Sequence, residues 1–138
     1  MLAMDIPALE RFLAEEFPQA NALGFSLLAL EQGSITLGLT ASDSHLRPGG
    51  TVSGPTLMGL ADAATYLLIL ANIGPKALAV TTHLSMHFMR KPDPGTLRCV
   101  ARLMKLGSRL AVAEVHIHGG DASAPFAHAT VTYSIPPR

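Results

Sequence analysis

The stretch SGPTLMGLADAATYLLILANIG, residues 53 to 74, is largely apolar and carries a single charged side chain, Asp62. A buried carboxylate is costly unless a cation or hydrogen-bond donors meet it. Placed beside a substrate, it can serve as a general base or as a nucleophile. Bound to a loop N–H or to Arg47, it would be structural only. Ser53 opens the stretch and suits a helix N-cap, and its hydroxyl could also touch a ligand. The first N–H groups of a helix lack partners and favour negative charge. Gly54 sits at that point, and its missing side chain allows close approach. Gly54 and Asp62 are separated by about 12 Å along a helix axis, so one helix cannot bring both to the same atom.

The other chemistry-bearing residues carry weaker signals. Of six histidines, His83 and His87 pair on one strand face, and His116 and His118 on another. No third ligand is expected to converge on a strand face, and no cysteine or acid cluster accompanies them, so no metal site is expected. Arg90, Lys91 and Arg109 fall at strand ends or turns, where cations are solvated. There is no Gly-rich phosphate loop and no Ser-His-Asp constellation.

Elements that position these residues can be read from periodicity. Residues 5 to 17 form a short helix with Asp5 as cap and Pro7 in the first turn. Leu9, Phe12, Leu13 and Phe17 lie on one face, and Pro18 ends it. Two strands follow around Gln32-Gly33, with Ile35, Leu37 and Leu39 alternating against polar residues. Residues 41 to 52 read as a loop. The long helix runs from its Ser53 cap, with Pro55 in its first turn, to Gly74-Pro75. Leu57, Leu60, Ala61, Ala64, Leu68 and Ala71 form its core stripe. Met58, Asp62, Thr65, Tyr66 and Ile69 form a second stripe, available to a partner subunit. Four strands complete the chain, at 78–90, 96–106, 109–118 and 126–135. Alternation in the first of these places Thr81 with His83, Ser85 and His87 on the polar face. Hairpin-linked strands without intervening helices imply an antiparallel α+β fold of about six strands wrapped around one long central helix.

Bulk properties narrow the function. The 138 residues fit a single domain, 1–138, with one sizeable core. Ten Lys plus Arg balance ten Asp plus Glu, so no basic excess points to nucleic acid, and self-association is favoured. The lone Cys99 excludes an intrachain disulfide framework and suggests a reducing, cytoplasmic setting. The opening MLAMDIPALE lacks the basic region of a signal peptide. Residues 54 to 73 are long enough to cross a membrane. Asp62 near their centre would add about 2.5–3.5 kcal/mol on insertion scales, so no membrane span is expected.

The order of elements resembles the hotdog fold, and HLRPGGTVSGPTLMGLADAA resembles the signature of the PaaI-like acyl-CoA thioesterases. His45 stands at the family's first His, Arg47 at its Asn, and Gly50 at the next Gly. Ser53-Gly54-Pro55 stands at its His-Gly-Gly, and Asp62 at the catalytic acid. VTTHLSMHFMRKPDPG, GSRLAVAEVHIH and FAHATVTYSI resemble the family's later strands, so the likeness spans residues 45 to 135. The chain departs from the pattern at Arg47, Ser53 and Pro55.

The resemblance implies hydrolysis of an acyl-CoA thioester without a cofactor. Asp62 would act as base or nucleophile, and the Gly54 N–H as oxyanion donor. Each site would join Asp62 of one chain to Gly54 of another, in a homodimer or a dimer of dimers. His45, Arg47, Ser53, Pro55 and Thr81 become candidates for substrate contact, and Arg90, Lys91 and Arg109 for the phosphates of coenzyme A. Arg47 could bind an anionic acyl group or pair with Asp62. Two other readings stand beside this one: a non-catalytic binder of acyl-CoA or a small ligand, and a hotdog enoyl-CoA hydratase or dehydratase.

Overall fold

The computed structural model describes residues 1–92, 95–119 and 124–137. Helix α1 spans Ile6–Glu16, and the Asp5 carboxylate accepts the Ala8 N–H at 3.0 Å. Its apolar face buries Leu9, Phe12 and Leu13. Pro18 does more than end this helix: it opens a second short one, α2, Pro18–Asn21. A proline has no N–H to lose at a first turn, so it starts a helix as readily as it stops one.

Strands β1 (Ser26–Glu31) and β2 (Ser34–Thr40) form the expected hairpin. Helix α3 (Gly54–Ile73) follows, and then β3 (Val80–Phe88), β4 (Thr96–Leu106), β5 (Leu110–His118) and β6 (Ala127–Ser134). All strand pairs are antiparallel, in the order β1-β2-β4-β5-β6-β3. This is the six-stranded hotdog arrangement, with α3 as the central helix. Gly74 closes α3 at φ +95°, a value glycine adopts without strain.

Alternation along β4, β5 and β6 turns Cys99, Ala101, Ala111, Ala113, Val115, Ile117, Ala127, Ala129 and Val131 inward, and all are buried. Small residues at so many of these positions let the helix backbone approach the sheet. The helix is apolar all round because its surroundings are apolar all round. Its most hydrophobic 18-residue window is 72% buried inside the fold, so this segment is the core helix.

The second helix stripe is not left for a partner. Thr65, Tyr66 and Ile69 are buried within the chain, and α1 with its C-cap covers Tyr66. Phe12 and Phe17 both pack on the Tyr66 ring, with centroids 6.2 and 5.8 Å away. Met58, at 41% exposure, and the half-buried Asp62 are what remain open.

Candidate active site

Asp62 lies in the third turn of α3, facing the start of β3 and the end of β6. Its Oδ1 accepts two hydrogen bonds, from Thr81 Oγ1 at 2.6 Å and from Tyr133 Oη at 2.8 Å. Among the described residues, no group donates to Oδ2. The carboxylate is therefore anchored through one oxygen and open through the other.

Thr81 reaches Asp62 through an irregularity that simple alternation misses. Pairing with β6 shifts between Thr81 and His83, so Thr81 is opposite Tyr133 while His83 is opposite Thr132. The extra residue, Thr82, turns Thr81 to the helix side beside Tyr133. It also turns Val80, the partner of Ser134, to the polar side, where it is 53% exposed. Thr81 is thus on the opposite face from the one alternation assigns.

Tyr133 was not singled out in the sequence. It stands on the buried face of β6 at 3% exposure. Burial, and then the negative charge of Asp62, push its phenol above the ordinary tyrosine value, so it stays protonated as a donor. A tyrosine on a buried strand face needs a partner for its hydroxyl. The lone acid of the facing helix was the available signal.

Two hollows of about 280 Å³ each meet at Asp62 and share Phe17, Tyr66 and Tyr133. One continues past Glu16 and Thr81, and the other past Ala20, Leu23 and Gly59. The Tyr66 and Tyr133 rings stack at 5.9 Å and form a shared aromatic wall.

At the N-terminus of α3, Ser53 is the cap: its Oγ accepts the Thr56 N–H at 3.2 Å and meets Thr56 Oγ1 at 2.8 Å. The Leu57 N–H bonds the Ser53 carbonyl, and Pro55 has no N–H. Among the described hydrogen bonds, Gly54 N–H donates to nothing. The Phe88 ring is 3.5 Å from where a Gly54 side chain would begin.

His45 is buried and fully engaged. Ser42 N–H donates to Nδ1 at 2.9 Å, which leaves the proton on Nε2 to donate to the Leu23 carbonyl at 2.7 Å. Both ring nitrogens thus serve the chain's own backbone, and neither is left for a substrate. His45 ties the 41–52 loop to the segment before β1. Arg47 and Pro55 are exposed, and Arg47 makes no ion pair with Asp62 of its own chain.

Arg90 and Lys91 are exposed just past β3, near the N-terminus of α3: Val52 N–H donates to the Pro92 carbonyl. Arg109 lines a hollow with Asn72 and Ile73 at the opposite end of α3. A 20-residue helix is about 30 Å long, so one chain does not bring the three cations together.

The model of the thioesterase superfamily matches residues 49–124, more than half of the chain. The chain belongs to the thioesterase superfamily. It is similar to a protein of Silicibacter sp. TM1040 provisionally named a thioesterase. Their sequences are 49% identical, with 99% of this chain and 95% of that one covered, at a TM-score of 0.90. A Ralstonia eutropha JMP134 protein, provisionally named a thioesterase related to phenylacetic acid degradation, is 28% identical at a TM-score of 0.79. That match covers 92% of this chain and 98% of that one. The fold also matches smu.793 of Streptococcus mutans UA159, described bound to acetyl CoA. Identity there is 22% and the TM-score 0.73, over 83% of this chain and 90% of that one.

Proposed function

We propose that the protein hydrolyses an acyl-CoA thioester, with Asp62 as general base or nucleophile. The observation that carries the reading is the one-sided anchoring of Asp62. Two donors hold the carboxylate through Oδ1, Oδ2 has no donor among the described residues, and Asp62 lines both hollows. The superfamily supplies thioester hydrolysis, and the acetyl CoA bound to the Streptococcus mutans protein supports coenzyme A as the thiol.

The oxyanion donor is the Gly54 N–H of a second chain. Strand β3 is a free edge of the sheet, and Leu78, Val80, Phe88 and Met89 are exposed on or beside it. An edge this apolar favours pairing with another strand. Two copies related by a two-fold axis pair their β3 strands antiparallel. Thr81, bonded to Asp62, is at the start of β3, and Phe88, packed on Gly54, is at its end. Antiparallel pairing about the middle of β3 sets the end of one strand beside the start of the other. Gly54 of the partner subunit then approaches Asp62, which one helix alone cannot achieve. The same pairing carries Arg90 and Lys91 toward the partner's Asp62, placed to receive the phosphates of coenzyme A.

In this site, water lies between Oδ2 and the thioester carbonyl carbon. Asp62 takes its proton as the C–O bond forms, and the Gly54 N–H receives the negative charge on oxygen. Collapse expels the thiolate of coenzyme A, which is protonated to the free thiol. As nucleophile, Oδ2 would instead form an anhydride that water then opens. A soluble acyl-CoA substrate fits a cytoplasmic location. Turnover of a panel of acyl-CoA thioesters, followed by release of free thiol, tests the reading. Saturable binding without thiol release would leave a binder, and hydration of an enoyl-CoA would make the protein a hydratase.

A further inference from the structure

The outer face of the sheet, opposite α3, gathers groups that the proposed hydrolysis does not use. His116 on β5 is the register partner of His128 on β6, and His128 is the register partner of His87 on β3. Register partners in an antiparallel sheet project from the same face with Cβ atoms about 4.5–5.5 Å apart. Three histidines therefore stand in one row across three adjacent strands. Glu114 stands two residues before His116 on the same face.

Contrary to the expectation from strand pairing, a third ligand does converge. Ligand atoms of Glu114, His116 and His128 all lie within 4.8 Å of one another. His128 Nε2 is 3.2 Å from Glu114 Oε2, and the His116 and His128 rings are 4.7 Å apart. All three side chains are half-buried.

We infer that Glu114, His116 and His128 form a binding site for a divalent transition metal such as Zn²⁺. Two imidazoles and a carboxylate are zinc donors, and a zinc–nitrogen bond of about 2.0–2.1 Å puts tetrahedral ligand atoms roughly 3.3 Å apart. The His128–Glu114 pair already has that spacing, so His116 has only to swing inward. On binding, the proton shared between His128 Nε2 and Glu114 is displaced: His128 becomes the Nδ1–H tautomer, and both atoms turn to the metal. Water or His87 takes the fourth position. Nitrogen donors disfavour Mg²⁺ and Ca²⁺. Arg102, the register partner of Glu114, is exposed and makes no ion pair with it among the described residues. Its charge lowers the affinity without occupying a donor.

Calorimetric titration of chelator-treated full-length protein with Zn²⁺ tests the site. One Zn²⁺ per chain is expected, with affinity reduced at least about tenfold in His116→Gln and in His128→Gln. His83→Gln, four residues before His87 on β3 and opposite Thr132 rather than His128, is expected to bind as wild type. Co²⁺ in place of Zn²⁺ should give the visible absorption of a four-coordinate ion, lost in the same two variants. All three substitutions are at partly or fully exposed positions, and circular dichroism confirms that each variant folds. Failure to bind Zn²⁺ saturably, or binding that survives both His116→Gln and His128→Gln, overturns the proposal.

Discussion

Tyr133 Oη donates to Asp62 Oδ1 at 2.8 Å, and Thr81 Oγ1 donates to the same oxygen at 2.6 Å. Sharing one acceptor makes the two donors a unit. Removing one leaves Asp62 anchored but free to pivot, and removing both frees it. A hydrogen bond to a charged group is worth about 1.5–3 kcal/mol. Tyr133→Phe is therefore expected to lower kcat roughly ten- to a hundredfold, with the fold retained. Because the partners share an oxygen, Tyr133→Phe and Thr81→Val should not be additive. A double-mutant cycle on kcat/KM should give a coupling of about 0.5–3 kcal/mol. Additive losses would mean that the two hydroxyls act on different things.

Asp62→Asn separates chemistry from packing. The amide has nearly the carboxylate's shape, and its oxygen still accepts from Tyr133 and Thr81. It cannot take a proton from water or attack a carbonyl. Turnover should fall by about 10²–10⁴-fold, while the thermal midpoint changes little. Near-wild-type hydrolysis by the folded variant would give Asp62 a purely structural role.

Most of the fold was legible because it rests on periodicity. The hairpin, the long helix and the four later strands are each marked by alternation or an apolar run, and turns of Gly or Pro bound them. The Gly54–Asp62 spacing was legible for the same reason. The bulge at Thr82 was not, because a single inserted residue leaves no composition signal while reversing the faces of Val80 and Thr81. Nor was the cover over Tyr66: it depends on where α1 docks, which packing across the whole fold decides. The outer-face cluster escaped because strand alternation gives each residue's face but not the register between strands. It takes register to put His116, His128 and His87 in one row.

Alkaline titration should show the burial of both tyrosines, the only two in the chain. Burial raises Tyr133 first, with Asp62 adding to it; burial and Glu16 raise Tyr66. A raised folded-state value means that the fold favours the protonated phenol. That stabilisation is fully present below the ordinary tyrosine value of 10.0 and is lost as pH rises through the folded value. Tyrosinate absorbance should therefore lag behind that of free tyrosine and then rise together with the loss of circular dichroism. One tyrosine ionising near its ordinary value in a fully folded protein would contradict the burial of that residue.

The last prediction concerns the two-chain site. Asp62→Asn removes the base from a chain's own half, and Gly54→Pro removes the oxyanion N–H. Proline is tolerated there, because Gly54 is the first residue of α3 and Ser53 before it is extended, with ψ 151°. Each variant homodimer lacks one component at both sites and should be inactive. In a mixed dimer, one site inherits both lesions and the other inherits neither. Random re-pairing of equal amounts makes half of the dimers mixed, each with one intact site of two, so activity should recover to about a quarter of wild type. Sedimentation should show a dimer before and after mixing. No recovery in verified mixed dimers would place Asp62 and the N–H it works with in the same chain. The β3 edge would then have some other role than building the site.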